Sequence, residues 1–132
     1  IMNDVIKFLN ENPLIYLATE GLDGNAKVRP ILYYFEENNK PYFCTSNKKP
    51  MYKELEKNSN CEITTATAEF AWIRIIGKVE FTSNLELKQK VIESNELVKT
   101  LYQSGDNPEF EVFTIFGDAT IADFSGKPSK KL

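Results

Sequence analysis

The chain is 132 residues long, 42% apolar, 27% charged and 12% aromatic, with a formal net charge of −3, which fits one globular domain over residues 1–132 with a β-leaning core. An acidic chain lacks the basic face that general nucleic-acid binding needs, and no apolar run approaches the ~20 residues that span a bilayer. The sequence holds no histidine, which removes His-based triads, His-ligated zinc and a proximal-His haem site.

Residues 2–12 put Val5, Ile6 and Leu9 on one helical face, with Asn3 or Asp4 as N-cap and Pro13 as the stop. Ile1 precedes Met2, so Met2 need not be the initiator, and no secretory leader pattern opens the sequence. Leu14–Glu20 reads as a strand, residues 21–25 as a hairpin turn, and 26–36 as the returning strand. Residues 37–41 turn again into a strand over 42–45. Only two of the 16 Lys and Arg residues are arginines, Arg29 and Arg74, and both interrupt strand-like runs. A guanidinium there fits either a fixed planar contact with an anion or polar ring, or an edge side chain reaching water.

The turn that follows is the most informative stretch. Thr45-Ser46-Asn47-Lys48-Lys49 leads to Pro50, a favoured first helical residue, and Met51 and Leu55 give the helix Pro50–Lys57 an apolar stripe. Lys48 and Lys49 then stand at a helix N-terminus, where the dipole and free N–H groups already attract negative charge. Two cations at that end fit a bound anion, with Thr45 and Ser46 adding hydroxyl donors: a phosphate cradle without the glycines of a P-loop. The plain alternative is a solvated lysine pair.

Residues 58–60 break into a Thr-rich strand over 61–70. Trp72–Thr82 follows, its parity placing Ile73, Ile75, Gly77, Val79 and Phe81 on a core face and Trp72, Arg74, Ile76, Lys78 and Glu80 on the other. Residues 85–102 read as one helix capped by Ser83 or Asn84, and 103–108 as a loop. A last strand covers 111–124, with Gly117-Asp118 as a bulge, and 125–132 form a polar tail. The class is mainly β: a six-stranded antiparallel barrel with flanking α-helices, excluding a Rossmann fold because βαβ alternation and GxGxxG are lacking. Cys44 and Cys61 lack CxxC spacing, so free thiols and a cytoplasmic setting are expected.

Three motifs, V-R-P-I-L-Y-Y at 28–34, Y-F-C-T-S-N-K-K at 42–49 and W-I-R-I-I-G-K-V at 72–79, come in an order that resembles the pyridoxamine 5'-phosphate oxidase-like, FMN-binding split-barrel family. The likeness runs through essentially the whole chain and is to the small Nim-type or general-stress flavoproteins. It implies a six-stranded split β-barrel and a homodimer with FMN at the subunit interface. By the same resemblance Arg29 and the backbone of Pro30, Ile31 and Leu32 lie along the flavin ring. Cys44, Thr45 and Ser46 follow on the second motif, Lys48 and Lys49 hold the phosphate, and Trp72 contacts the ring. No catalytic residue and no metal ligand is implied.

The C-terminal Trp and Arg of true pyridoxamine 5'-phosphate oxidases have no counterpart here, so vitamin B6 oxidation is not implied, and haem-degrading relatives need the histidine this chain lacks. The resemblance implies a flavin-dependent oxidoreductase acting on a small molecule, nitroimidazole reduction included. A non-catalytic flavin-binding protein, or the same fold holding a deazaflavin, uses the same residues. A cofactor-free oligonucleotide-binding barrel is the reading the net charge disfavours.

Overall fold

A computed structural model describes residues 2–132, with side chains from Asp4 onward; Ile1 and the expected Asn3 cap lie outside the described residues. The elements run α1 (Met2–Glu11), β1 (Leu14–Glu20), β2 (Ala26–Leu32), β3 (Phe35–Glu37), β4 (Lys40–Ser46), α2 (Pro50–Lys57), β5 (Asn60–Ala66) and β6 (Trp72–Thr82). Then come α3 (Leu85–Ser94), α4 (Glu96–Tyr102), β7 (Phe110–Ala122) and β8 (Lys130–Lys131). One antiparallel sheet has the order β2-β1-β5-β6-β7-β4-β3, with β8 joined to β7. It curls into a split barrel, as expected, but with eight strands rather than six.

The two extra strands have separate causes. The strand expected over 26–36 breaks at Tyr33 and Tyr34, so β2 and β3 end at opposite edges of the sheet although only these two residues separate them. Tyr33 N–H donates to Pro13 O and Tyr34 N–H to Tyr42 O, at 2.9 and 3.1 Å, pinning the strap that crosses the seam. The tail residues Lys130 and Lys131 pair with Ile121 and Thr120 on the half of β7 that β4 leaves free. The single helix expected over 85–102 also divides, because the Asn95 side chain accepts from Leu97 N and Val98 N and starts a new helix there. Asn84 caps α3 in the same manner.

Two apolar clusters hold the layers together. The barrel interior packs Leu9, Ile15, Leu17, Phe43, Ile63, Ile73, Ile75 and Phe113, with Met51 and Leu55 bringing α2 onto it. The second seats α3 and α4 on the other face of β4 and β7 through Val91, Ile92, Val98, Phe110 and Val112. The expected bulge at Gly117-Asp118 is absent: β6 and β7 keep one unbroken register from Trp72↔Ala122 to Thr82↔Val112. Gly77 and Gly117 are instead direct partners in that ladder, and the backbones approach so closely there that a side chain is excluded. The strand expected over 61–70 stops at Ala66, and Thr67, Phe70 and Ala71 close a turn.

Candidate functional site

A cleft of about 410 Å³ opens along the seam where the barrel fails to close. One wall is β2, through Arg29, Pro30, Ile31 and Leu32; the other is β4, through Cys44 and Thr45. Lys49, Pro50 and Met51 at the start of α2 form its end, and Tyr34 of the strap lines it as well. β2 has a ladder partner on one side only, so alternate backbone groups of its free edge face the gap.

Seven of the ten residues expected at a cofactor site therefore meet in one cleft: Arg29, Pro30, Ile31, Leu32, Cys44, Thr45 and Lys49. Three do not line it. Ser46 is occupied in the turn, its hydroxyl accepting from Lys48 N at 3.1 Å. Lys48 is exposed beside the cleft mouth. Trp72 lies on the outer sheet face, as the β6 parity requires, its ring tilted against Phe124 with centroids 4.8 Å apart.

Arg29 reaches the cleft with its guanidinium engaged. Its Nη2 donates to Glu54 Oε1 at 2.7 Å, and its Nη1 donates to Thr19 Oγ1 at 2.8 Å and to Leu17 O at 3.3 Å. Thr19 Oγ1 in turn donates to Glu54 Oε1 at 2.8 Å. Sequence reasoning missed Glu54, yet a signal was present: it stands three residues after Met51 and beside Leu55, an acid within the apolar stripe of α2. Pro50 and Met51 were missed as lining residues because each was read only for its part in the helix, whereas Tyr34 belongs to the first motif.

The α2 terminus leaves one backbone donor open. Lys49 is the N-cap residue at φ −80° and ψ 147°, and among the described residues no side chain caps the helix. Pro50 has no N–H, while Lys49 N–H donates to Ser46 O and Tyr52 N–H to Lys49 O, each at 3.1 Å, which leaves the Met51 N–H for solvent or ligand. Nearby, Thr45 is 3% exposed and its Oγ1 is buried with no hydrogen-bond partner among the described residues, as are Tyr33 Oη and Thr114 Oγ1. A buried hydroxyl without a partner costs about 1–3 kcal/mol, and of these three residues Thr45 is the one that lines the cleft.

Burial pushes the Cys44 thiol up to about 11, and the hydrogen bond with Tyr34, then the charge of Lys49, only partly oppose this. Burial, then the neighbouring Cys44, raises the Tyr34 hydroxyl well above its usual range. Both groups stay protonated near neutrality, so this wall offers weak donors and no base. Cys61 is likewise pushed up to about 12 by burial. Both thiols start from 9.0 in the free state. Above pH 9 the unfolded chain loses protons that the fold retains, so stability is full below pH 9 and falls as pH rises toward 11. Urea midpoints measured at pH 8 and pH 10.5 will show that fall, and Cys44→Ala with Cys61→Ala will flatten it.

Residues 2–121 match the family described as pyridoxamine 5'-phosphate oxidase. Among solved structures, the chain is similar to a NimC/NimA family protein from Clostridium acetobutylicum at 32% identity, with a TM-score of 0.86 over 99% of this chain and 92% of that one. A protein related to general stress protein 26, also from C. acetobutylicum, shares the fold at 13% identity and a TM-score of 0.79, over 99% and 94% of the two chains. A heme binding protein from Mycobacterium smegmatis shares it at 15% identity and a TM-score of 0.76, over 98% of this chain and 57% of that one. No curated protein matches the sequence. The seam cleft, the barrel order and these likenesses agree, and the chain belongs to the pyridoxamine 5'-phosphate oxidase family.

Proposed function

We propose that residues 1–132 form a single FMN-binding domain that works as a homodimeric flavin-dependent oxidoreductase on a small molecule. The observation that carries this reading is the unpartnered Thr45 hydroxyl, buried in the seam cleft beside Lys49 and the uncapped start of α2. A hydroxyl, ammonium groups and the Met51 N–H at the helix start together make a donor set for a phosphate. Lys49, Lys48 and Thr45 would hold that group, and the free edge of β2 at Pro30, Ile31 and Leu32 would meet the ring's polar rim. When bound, the flavin supplies two-electron or hydride transfer. The chain's share is to bind, to orient and to exclude water, with Cys44 and Tyr34 kept protonated at the wall. The Nim-type resemblance of the three motifs supports reduction of small nitro compounds as the activity to assay first. Haem fits the site less well, since the chain has no histidine to ligate it.

The dimer rests on the outer face of β2, β1, β5 and β6. Tyr16, Val28 and Ile76 are 45%, 70% and 54% exposed there, and depressions of about 550 and 250 Å³ run between them. Exposed apolar side chains on three strands of one face are the mark of an interaction surface. Sedimentation will read a dimer mass; a monomer at micromolar concentration removes that part of the reading.

An absorbance spectrum of the purified protein, before and after adding FMN and desalting, tests the cofactor. Flavin bands that survive desalting are expected, and a colourless protein that retains no FMN overturns the proposal. Thr45→Val sharpens the test. It is expected to weaken FMN binding roughly tenfold, about 1.4 kcal/mol, while leaving the melting temperature unchanged or raised, because no internal hydrogen bond is lost.

A further inference from the structure

The Arg29–Glu54–Thr19 cluster ties together elements that the cleft separates. Arg29 and the next three residues of β2 form one wall, whereas Lys49, Pro50 and Met51 of α2 form the end. Glu54 lies one helical turn beyond Pro50, is 5% exposed, and receives both Arg29 Nη2 and Thr19 Oγ1 on a single oxygen. A carboxylate that deep persists only with charge and hydrogen bonds to match, and removing one partner of such a pair is strongly unfavourable. Thr19 stands on β1 and pairs with Lys27 on β2, so the cluster binds α2 to two adjacent strands at once. The apolar contacts of Met51 and Leu55 hold α2 against the barrel but are not directional. The three hydrogen bonds converging on Glu54 and Thr19 set the rotation and height of the helix.

We infer that Glu54 is a positioning residue for the phosphate end of the cleft: through Arg29 and Thr19 it fixes where α2 presents Lys49 and the free Met51 N–H relative to the β2 wall. The inference rests on the flavin reading above. Glu54 itself touches no ligand. Its effect is selective, because displacing α2 moves the anion donors while the β2 edge, held by β1, stays in place.

The test compares dissociation constants for FMN and for riboflavin, which has the same ring and no phosphate, in wild type, Glu54→Gln, Glu54→Ala and Thr19→Val. Wild type is expected to prefer FMN. Glu54→Ala should lower the FMN-to-riboflavin preference at least tenfold. Glu54→Gln should restore it to within about threefold, since the amide oxygen still accepts from Arg29 and Thr19. Thr19→Val, which removes one hydroxyl and keeps the volume, should lower it about threefold and serves if Glu54→Ala does not fold. A preference unchanged in both Glu54→Ala and Thr19→Val, or equal losses for both ligands, overturns the positioning role. Wild type that binds neither flavin overturns the underlying reading as well.

Discussion

Alanine at both Lys48 and Lys49 is expected to weaken FMN binding by about 2–4 kcal/mol, a loss of roughly 30- to 1000-fold. Each ammonium adds a charge-assisted contact to a phosphate at the helix N-terminus, where the dipole already favours negative charge. Among the described residues, neither lysine is paired with a carboxylate, so the substitution breaks no internal ion pair and folding stability should be held or raised. Lys49 lines the cleft and Lys48 stands just outside it, so Lys49→Ala alone should carry the larger share. Fluorescence titration with FMN and riboflavin reads the effect, and raising salt should reduce wild-type FMN affinity more than that of the double variant. FMN affinity equal to wild type would place the phosphate elsewhere in the molecule.

The second large effect concerns the fold. An added Cβ at Gly77 would lie 2.0 Å from Phe116 O, and one at Gly117 would lie 2.1 Å from Ile76 O and 2.5 Å from Gly77 Cα. Those neighbours are backbone atoms in the middle of an eleven-residue ladder, so no side-chain rotation relieves the contact and the strands must part. Gly77→Ala or Gly117→Ala is therefore expected to cost about 3 kcal/mol or more, lowering the melting temperature by roughly 10 °C. Thermal and urea unfolding measure it. A loss below about 1 kcal/mol would show that the ladder can shift around a methyl group.

Most of this architecture was legible where local chemistry and tertiary packing agree. The β6 alternation holds residue by residue, with Ile73, Ile75 and Val79 buried and Arg74, Ile76 and Lys78 exposed. Pro50 begins α2, as a proline after a lysine turn should. The motifs at 28–34 and 42–49 face one another across the seam because the sheet curls, a fact no strand period contains. Most of what the sequence hid was decided by partners distant in the chain. Tyr33 and Tyr34 are strong strand formers, yet their N–H groups go to Pro13 and Tyr42 and end the strand. Lys130 and Lys131 carry no strand signal and pair only because half of β7 lacks a neighbour. Asn95 sits inside a run of helix formers, and its side chain ends one helix and starts another. Glu54 stands out in the sequence only as an acid beside Leu55, and its partner Arg29 lies on β2, 25 residues earlier.

The strap at Tyr33 and Tyr34 limits how the seam can yield. Three peptide units separate Leu32 at the end of β2 from Phe35 at the start of β3, a span of at most about 11 Å. The two sheet edges are thus covalently tethered at that end and cannot drift apart there without breaking the chain. Toward α2 no such leash exists, and only side-chain contacts hold the edges. Any widening of the gap therefore turns about the tyrosines, as a door turns on its jamb, and is largest beside α2.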